Sequence, residues 1–404
     1  MKHLFVVFLL IASIIVACTE SGVISESFLP VNVDVRIDTF FVDNAEKLEI
    51  PAFSTTTIYI SAGKYNDALF GSHEAVSYII PRIGFPAIDT LDVDSLQMTL
   101  RLVANPDLVY GDTTQSVEFG LYYINQPWRS GAMQHDDILT TAAEPFKTFT
   151  YTPGDTSFVI EMPRDYIEEF ASFEGLPDSI RFSRYIDNFN GVALKAVNDA
   201  NLIVPFFEDS IRYTVLDSPT DSIATSVFGV FRAAYSVDKG GLNTQLIPSG
   251  VVPLTFDWKN VYSFNFFSKL KDLGQFNLSS AFLQINEAAE ILSNSLPANH
   301  IRPEVLALRS FIKRPNEIVF SFVGQTPDFN LIHIDSLNYY NYNMNSINDW
   351  KNDETLDTTQ VFYIVPNIET GIIYNTLILD QNNTSKFRPR VVLARVEPIN
   401  EGGN

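Results

Sequence analysis

Four histidines follow residue 17: His73, His135, His300 and His333. None stands at a metal-ligand spacing or beside a second histidine. Each reads as packed or solvated rather than as a ligand or base. No G-x-S-x-G turn presents a nucleophilic serine, and neither G-x-x-x-x-G-K-[ST] nor G-x-G-x-x-G is there to cradle phosphate. Paired carboxylates, the machinery of glycoside hydrolysis, occur at Asp92/Asp94, Asp136-Asp137 and Glu168-Glu169, and no spacing selects one pair. The sequence therefore predicts no catalytic residue, no metal and no cofactor. Recognition chemistry is better represented. Asn338-Tyr339-Tyr340-Asn341-Tyr342-Asn343-Met344-Asn345 is followed by Asn348-Asp349-Trp350. Aromatic faces stack on sugars and amides hydrogen-bond hydroxyls. The candidate glycan contacts are Tyr340, Tyr342, Trp350 and Trp128 of the Gln126-Pro127-Trp128-Arg129 loop. Strand periodicity puts Tyr340 and Tyr342 on one face and Tyr339 on the other, so one of these sets is core. The plainer reading is a strand of alternating aromatics running into a turn. Asn and Asp oxygens also suit calcium, but the D-x-[DN]-x-[DN]-G loop is missing.

Cys18 is the single cysteine. It follows Met1-Lys2-His3, an apolar run from Leu4 to Ile14, and Ile15-Val16-Ala17. A basic start, a short apolar core and a small residue before the cut are the layout of a secretory signal. Ile15 to Cys18 resembles the lipobox of bacterial lipoproteins, in which the thiol of the new N-terminus carries diacylglycerol. The run is short of the roughly 20 residues a span requires. Residues 1–17 are expected to leave as a signal peptide, with Cys18 lipidated (palmitate among its acyl chains) and residues 18–29 forming a tether. Thr rather than Asp at position 19 predicts sorting to the outer membrane, with the cell surface preferred to the periplasmic side.

A third pattern is Asp followed by Ser or Thr and then an aliphatic, Met or Thr. It places candidate acceptors at Thr90, Ser95, Thr113, Ser179, Ser210, Ser222, Ser336 and Thr358, and it resembles the O-glycosylation acceptor of exported Bacteroidota proteins. Asp-Ser and Asp-Thr also end turns just before strands, for purely local reasons.

Behind these residues lies a chain with 27 basic against 48 acidic residues and a formal charge of −21. A field of that sign repels nucleic acid and anionic headgroups. With Cys18 spent on lipid, no disulfide within the chain is available, and the fold rests on its core. Period-two runs recur at Val31 to Asp38, Thr57 to Ile60, Leu96 to Leu102 and Val117 to Tyr123. Asn105-Pro106-Asp107, Gly111-Asp112 and Pro153-Gly154-Asp155 punctuate them. Helical patterns are few: Pro163 to Phe173, Phe266 to Leu273 and Pro366 to Tyr374. The pattern predicts a mostly β chain of two antiparallel β-sandwich modules with a few short helices. The modules would span residues 30–216 and 217–404 and meet at the linker-like Asp217-Ser218-Pro219-Thr220-Asp221.

Gly63-Lys64-Tyr65-Asn66-Asp67-Ala68-Leu69-Phe70-Gly71 with Ala75 and Tyr78, Tyr110-Gly111-Asp112-Thr113-Thr114, Asn188 to Leu194, Ser280 to Leu283 and Arg388 to Val391 form a further set. Together they resemble the Bacteroidota lipoproteins grouped as domain of unknown function 4270. The resemblance implies β-sandwich proteins, distantly similar to carbohydrate-binding modules, with no catalytic residues to carry over. The resulting expectation is a non-enzymatic outer-membrane lipoprotein that binds an envelope protein partner or plays a structural role, as an accessory subunit of an envelope complex. The alternative is a surface glycan-binding module.

Overall fold

The computed structural model describes residues 33–49, 54, 57–83, 93–174, 176–199, 201–217, 224–257, 259–265, 277–296, 303, 305–314, 317–318, 329–334, 337–344, 360–366 and 371–398. The chain is mostly β, and every named strand pair is antiparallel. Among the described residues the strands form sheets of ten, eight, four and two strands.

The eight- and four-stranded sheets close on one core. Alternation is the cause: in Gln97–Val103, Met98, Leu100 and Leu102 point inward and are buried. They meet Val117, Phe119 and Leu121 of Val117–Tyr123, together with Leu202, Val204 and Phe206 of Leu202–Phe207. Short turns carry the chain from one sheet to the other. Asn105 accepts the Asp107 amide (3.1 Å) on the way from Gln97–Val103 to Tyr110–Gly111. Asp155 accepts the Thr152 amide (2.9 Å) between Lys147–Tyr151 and Ser157–Glu161. The helix Arg164–Glu174 follows Pro163, the residue that pre-sets its first turn. It lays Tyr166, Ile167, Phe170 and Ala171 against the core as one face. A second helix, Asp178–Asn188, adds Tyr185.

The ten-stranded sheet covers a second core against the pair Val251–Thr255 and Asn375–Leu379. Its inner face carries Ala281, Leu283 and Ile285 of Asn277–Asn286, and Val391 and Leu393 of Arg390–Pro398.

Three expectations need correction. The boundary at residues 217–221 is not where pairing divides: Arg212–Asp217 pairs with Ala224–Phe228 as neighbours in the four-stranded sheet, and Val230–Lys239 pairs with Gly71–Pro81 in the eight-stranded one. Residues 224–239 thus belong with the N-terminal core, while Val33–Phe41 and Asp43–Leu48 belong to the ten-stranded sheet. The second correction concerns the first strand. Its alternating aliphatics face outward, with Val35 44 % and Ile37 72 % exposed. Register explains this: Asp38 and Phe40 lie opposite the buried Leu393 and Val391, so the other set of side chains faces the core. Asp38 is accommodated there because Arg395 Nε donates to its carboxylate. Third, no helix forms at 371–374, and Pro366 closes the strand Gln360–Pro366. The expected helix at Phe266 to Leu273 lies outside the described residues.

Arg390–Pro398 is hydrogen-bonded on both sides, to Val33–Phe41 and to Asn277–Asn286. A chain truncated before Arg390 is therefore expected to lose its cooperative thermal transition, measured by scanning calorimetry. A sharp transition retained in the truncated chain would show that this strand is dispensable.

Candidate functional site

The stretch Gly63 to Gly71 makes the end of the strand Tyr59–Asp67, a turn, and the first residue of Gly71–Pro81. Asp67 organises the turn. Its Oδ1 accepts the amides of Leu69 and Phe70, each at 2.8 Å. Its Oδ2 accepts the Tyr110 hydroxyl at 2.5 Å. Hydrogen bonds to a carboxylate are about twice as strong as neutral ones, and here they compensate the burial of a charge. Gly71 leaves the turn at φ +83°, and a Cβ there would run into the Gly241 carbonyl, so only glycine fits. The turn aims Leu69 and Phe70 into a third apolar cluster. Both are fully buried against Val251, Ala288, Leu292 and Leu377 from the far half of the chain. Burial of side chains of this size contributes roughly 1.5–3 kcal/mol each. The hairpin tip is thus a plug that joins the two sandwiches.

Polar groups close the joint around the plug. Asn375 Nδ2 donates to Tyr110 Oη (3.1 Å) and lies 3.3 Å from His73 Nε2, and Asn375 Oδ1 accepts the Phe256 amide (3.3 Å). His73 Nδ1 is 2.9 Å from the Gly71 carbonyl. A carbonyl only accepts, so Nδ1 carries the proton and Nε2 receives Asn375. Burial lowers the His73 pKa to about 4, and the Lys239 charge acts in the same direction. The imidazole is therefore neutral near pH 7. Burial, and then Asp67, push the Tyr110 hydroxyl well above its usual range. Beside them Lys239 Nζ pairs with Asp257 at 3.2 Å, both side chains being almost wholly buried. Burial works to raise the Asp257 carboxyl. The Lys239 charge and the donors of Thr255 (2.5 Å) and Lys259 (3.3 Å) outweigh it and hold it below the usual value. Ser61 Oγ donates to the Gly371 carbonyl at 3.0 Å, one more tie across the joint.

Over this network lies a polar cleft of about 330 Å³ with Lys64, Glu74, Asp199 and Asp238 on its walls. Lys64 is 3.4 Å from Glu74 and 4.0 Å from Asp199. What the arrangement does chemically is hold: the neutral imidazole, the carboxylate of Asp67 and the buried ion pair are each engaged by neighbours within the fold.

The residues singled out for glycan contact lie elsewhere. Trp128 is buried, donates Nε1 to the Asn190 carbonyl (2.9 Å) and packs beside Tyr78. Tyr340 is fully buried, donates to the Pro303 carbonyl (2.9 Å) and faces the His333 ring. Tyr342, on the same strand face, packs half-buried against the second core, where burial pushes its hydroxyl up to about 12. Trp128 and Tyr340 therefore serve packing and offer no platform to solvent, which corrects the expectation for these two, while Tyr342 keeps part of its ring exposed. Cys18 and Trp350 lie outside the described residues.

The Asp-Ser and Asp-Thr positions also divide. Ser95 and Ser210 end short 3₁₀ turns just ahead of strands, and Thr113 stands in a turn where Asp112 Oδ1 accepts the Thr114 amide (2.9 Å). Ser179, in the first turn of Asp178–Asn188, is exposed. Thr90, Ser222, Ser336 and Thr358 lie outside the described residues. Asp136 accepts from Lys259 Nζ (3.1 Å) and Asp137 accepts the Gln134 amide (2.7 Å), so this acidic pair supports a turn. Asp67, His73 and Asn375 were not singled out as a unit by sequence reasoning. The available signal was the density of Gly, Asp and aromatics between Gly63 and Gly71.

Compared with known proteins, the chain matches no family and no curated sequence.

Two predictions follow from the joint. Tyr110→Phe takes a donor from buried Asp67 and an acceptor from Asn375, and should cost about 1–3 kcal/mol in denaturant unfolding. An unchanged midpoint would show that the hydroxyl is not needed. The other concerns His135, which is buried against Tyr235 and Phe256 with no protein hydrogen-bond partner at either ring nitrogen. Burial lowers its pKa from 6.5 to about 4. Between those values the unfolded chain takes up a proton that the folded chain refuses, so stability falls as pH drops from 6.5 towards 4. By pH 5 the loss from this one group is about 2 kcal/mol. His135→Phe should flatten the pH dependence by that amount in urea melts at pH 7 and pH 5, and equal slopes for the two proteins would refute the assignment.

Proposed function

We propose that this chain is a non-enzymatic lipoprotein of the bacterial outer membrane, held by acyl chains on Cys18, with a partner-binding or structural role as an accessory subunit of an envelope complex. The observation that carries the reading is the basic, apolar and small-residue pattern that ends at Cys18. It stands fifteen residues ahead of Val33, where the first described strand begins at the edge of the ten-stranded sheet. An extended segment of that length reaches about 50 Å, enough to hold a folded body clear of the bilayer. A formal charge of −21 opposes adsorption to anionic headgroups, so the attachment falls to the acyl chains. The joint supports the binding role indirectly. Asp67 is engaged inside the fold, while Lys64 and Asn66 of the same motif stand on the open cleft, on the surface that a partner would meet.

Metabolic labelling with a palmitate analogue tests the anchor. Label is expected on the native chain and absent from Cys18→Ala, and label that persists in the variant would sink the proposal. Purification from native membranes with quantitative mass spectrometry tests the partner: a stoichiometric companion is expected, and recovery of the chain alone counts against the complex-subunit form.

A further inference from the structure

We infer that a second cleft, at the Asn286 end of the ten-stranded sheet, binds a neutral saccharide. This goes beyond the proposed anchoring and stands whether or not Cys18 carries lipid. The cleft measures about 410 Å³, within the range of small-ligand sites. Four segments meet there: the end of Asn277–Asn286, the connection at Pro248 and Ser249, the turn at Leu337 and Asn338, and the loop bearing Asn383 and Phe387.

Asn286 is the first reason. It lines the cleft, is only 8 % exposed, and its Oδ1 has no hydrogen-bond partner in the protein. A buried amide oxygen without a donor costs about 1–3 kcal/mol; Oδ1 is closed to solvent in the free chain, so a ligand hydroxyl supplies the donor as the Asn286 side chain turns into the cleft. Glu287 beside it does not compete. Its side chain turns inward, with Oε1 accepting from Thr376 (2.8 Å) and Oε2 lying 3.5 Å from His333 Nε2.

Phe387 is the second reason. It is a large aromatic, 44 % exposed, on the cleft wall. Its loop is pinned in place. The Phe387 amide donates to Ser385 Oγ (3.1 Å). Asn383 bridges the Ser385 amide (2.8 Å) and the Gly250 carbonyl (3.1 Å). The backbone that carries the ring is thus ordered before a ligand arrives, and Lys386 Nζ and the Arg390 guanidinium lie over the ring, so a ligand stacks on the part they leave exposed. The C–H face of a sugar suits that ring, and its hydroxyls suit Asn286 and the exposed Glu290.

Charge and backbone narrow the ligand class. Glu290 on the wall is set against Lys386 and Arg390, whose charged ends lie 5.1 and 5.7 Å from the Phe387 ring centre, so neither an anion nor a cation is favoured. An added peptide strand would need open backbone groups. The wall's own are engaged: the Glu287 amide bonds the Asn338 carbonyl (2.9 Å) and the Ala288 amide bonds that of Leu377 (2.8 Å).

The test titrates the full chain, in a detergent without a sugar headgroup, with neutral oligomers of glucose, mannose, galactose and N-acetylglucosamine, read by calorimetry and saturation-transfer NMR. At least one oligomer is expected to bind. Phe387→Ala should weaken it tenfold or more with the thermal midpoint unchanged, and Asn286→Leu should weaken it similarly. If Asn286→Leu does not fold, the exposed Phe387→Ala decides alone. The inference is overturned if no neutral oligomer binds the unaltered chain, if binding survives intact in folded Phe387→Ala, or if only charged saccharides or peptides compete for the cleft.

Discussion

The Asp67 carboxylate is the constraint on which the rest of this structure depends. A buried anion is tolerable only when donors surround it. Here two backbone amides of its own turn and one tyrosine hydroxyl from another strand do so. Those contacts fix the turn, the turn aims Leu69 and Phe70 across the joint, and the two residues fill an apolar cluster whose other buried members come from beyond residue 250. The polar ring of Tyr110, Asn375 and His73 then sets how the halves meet, because each of its bonds requires a particular register. Apolar burial supplies most of the stabilisation at the joint. The carboxylate and its donors supply geometry, which apolar contact alone specifies poorly.

Much of the fold was readable from residue types. Gln97–Val103 and Val117–Tyr123 alternate cleanly because one face of each lies on a core, and Pro163 marks the start of the first helix. The misreadings have physical causes. In the first strand a charged residue occupies the inner face and aliphatics the outer one, an inversion made possible only by Arg395, which arrives from the other end of the chain. Asp178–Asn188 buries a single residue, Tyr185, is polar on the whole, and has no side chain to cap its start. The pair Arg212–Asp217 and Ala224–Phe228 is bridged in sequence by Asp, Ser, Pro and Thr, residue types that turns and linkers share.

The joint was half visible. The run from Gly63 to Gly71 stands out in the sequence, but its role is set by Tyr110 and Asn375, and no local pattern announces a partner three hundred residues away. The aromatic-amide stretch misleads in the opposite direction. Its composition suits a ligand, while Tyr340 and Tyr342 are used by the second core. The Asn286 cleft draws on four separate segments, none of them distinctive alone.

The pairing of Val33–Phe41 with Arg390–Pro398 has a temporal consequence. Asp38 and Arg395 are 357 residues apart in the chain, so the ten-stranded sheet acquires this border only once residues 390–398 are present. Loop-closure entropy makes such a contact late and slow. During synthesis or threading through a narrow pore, the emerging chain would hold the strand Asn277–Asn286 with one side unsatisfied until residue 390 and its successors follow. Until then the sheet stays open along that strand, so the order in which the chain is made or released sets when it can close.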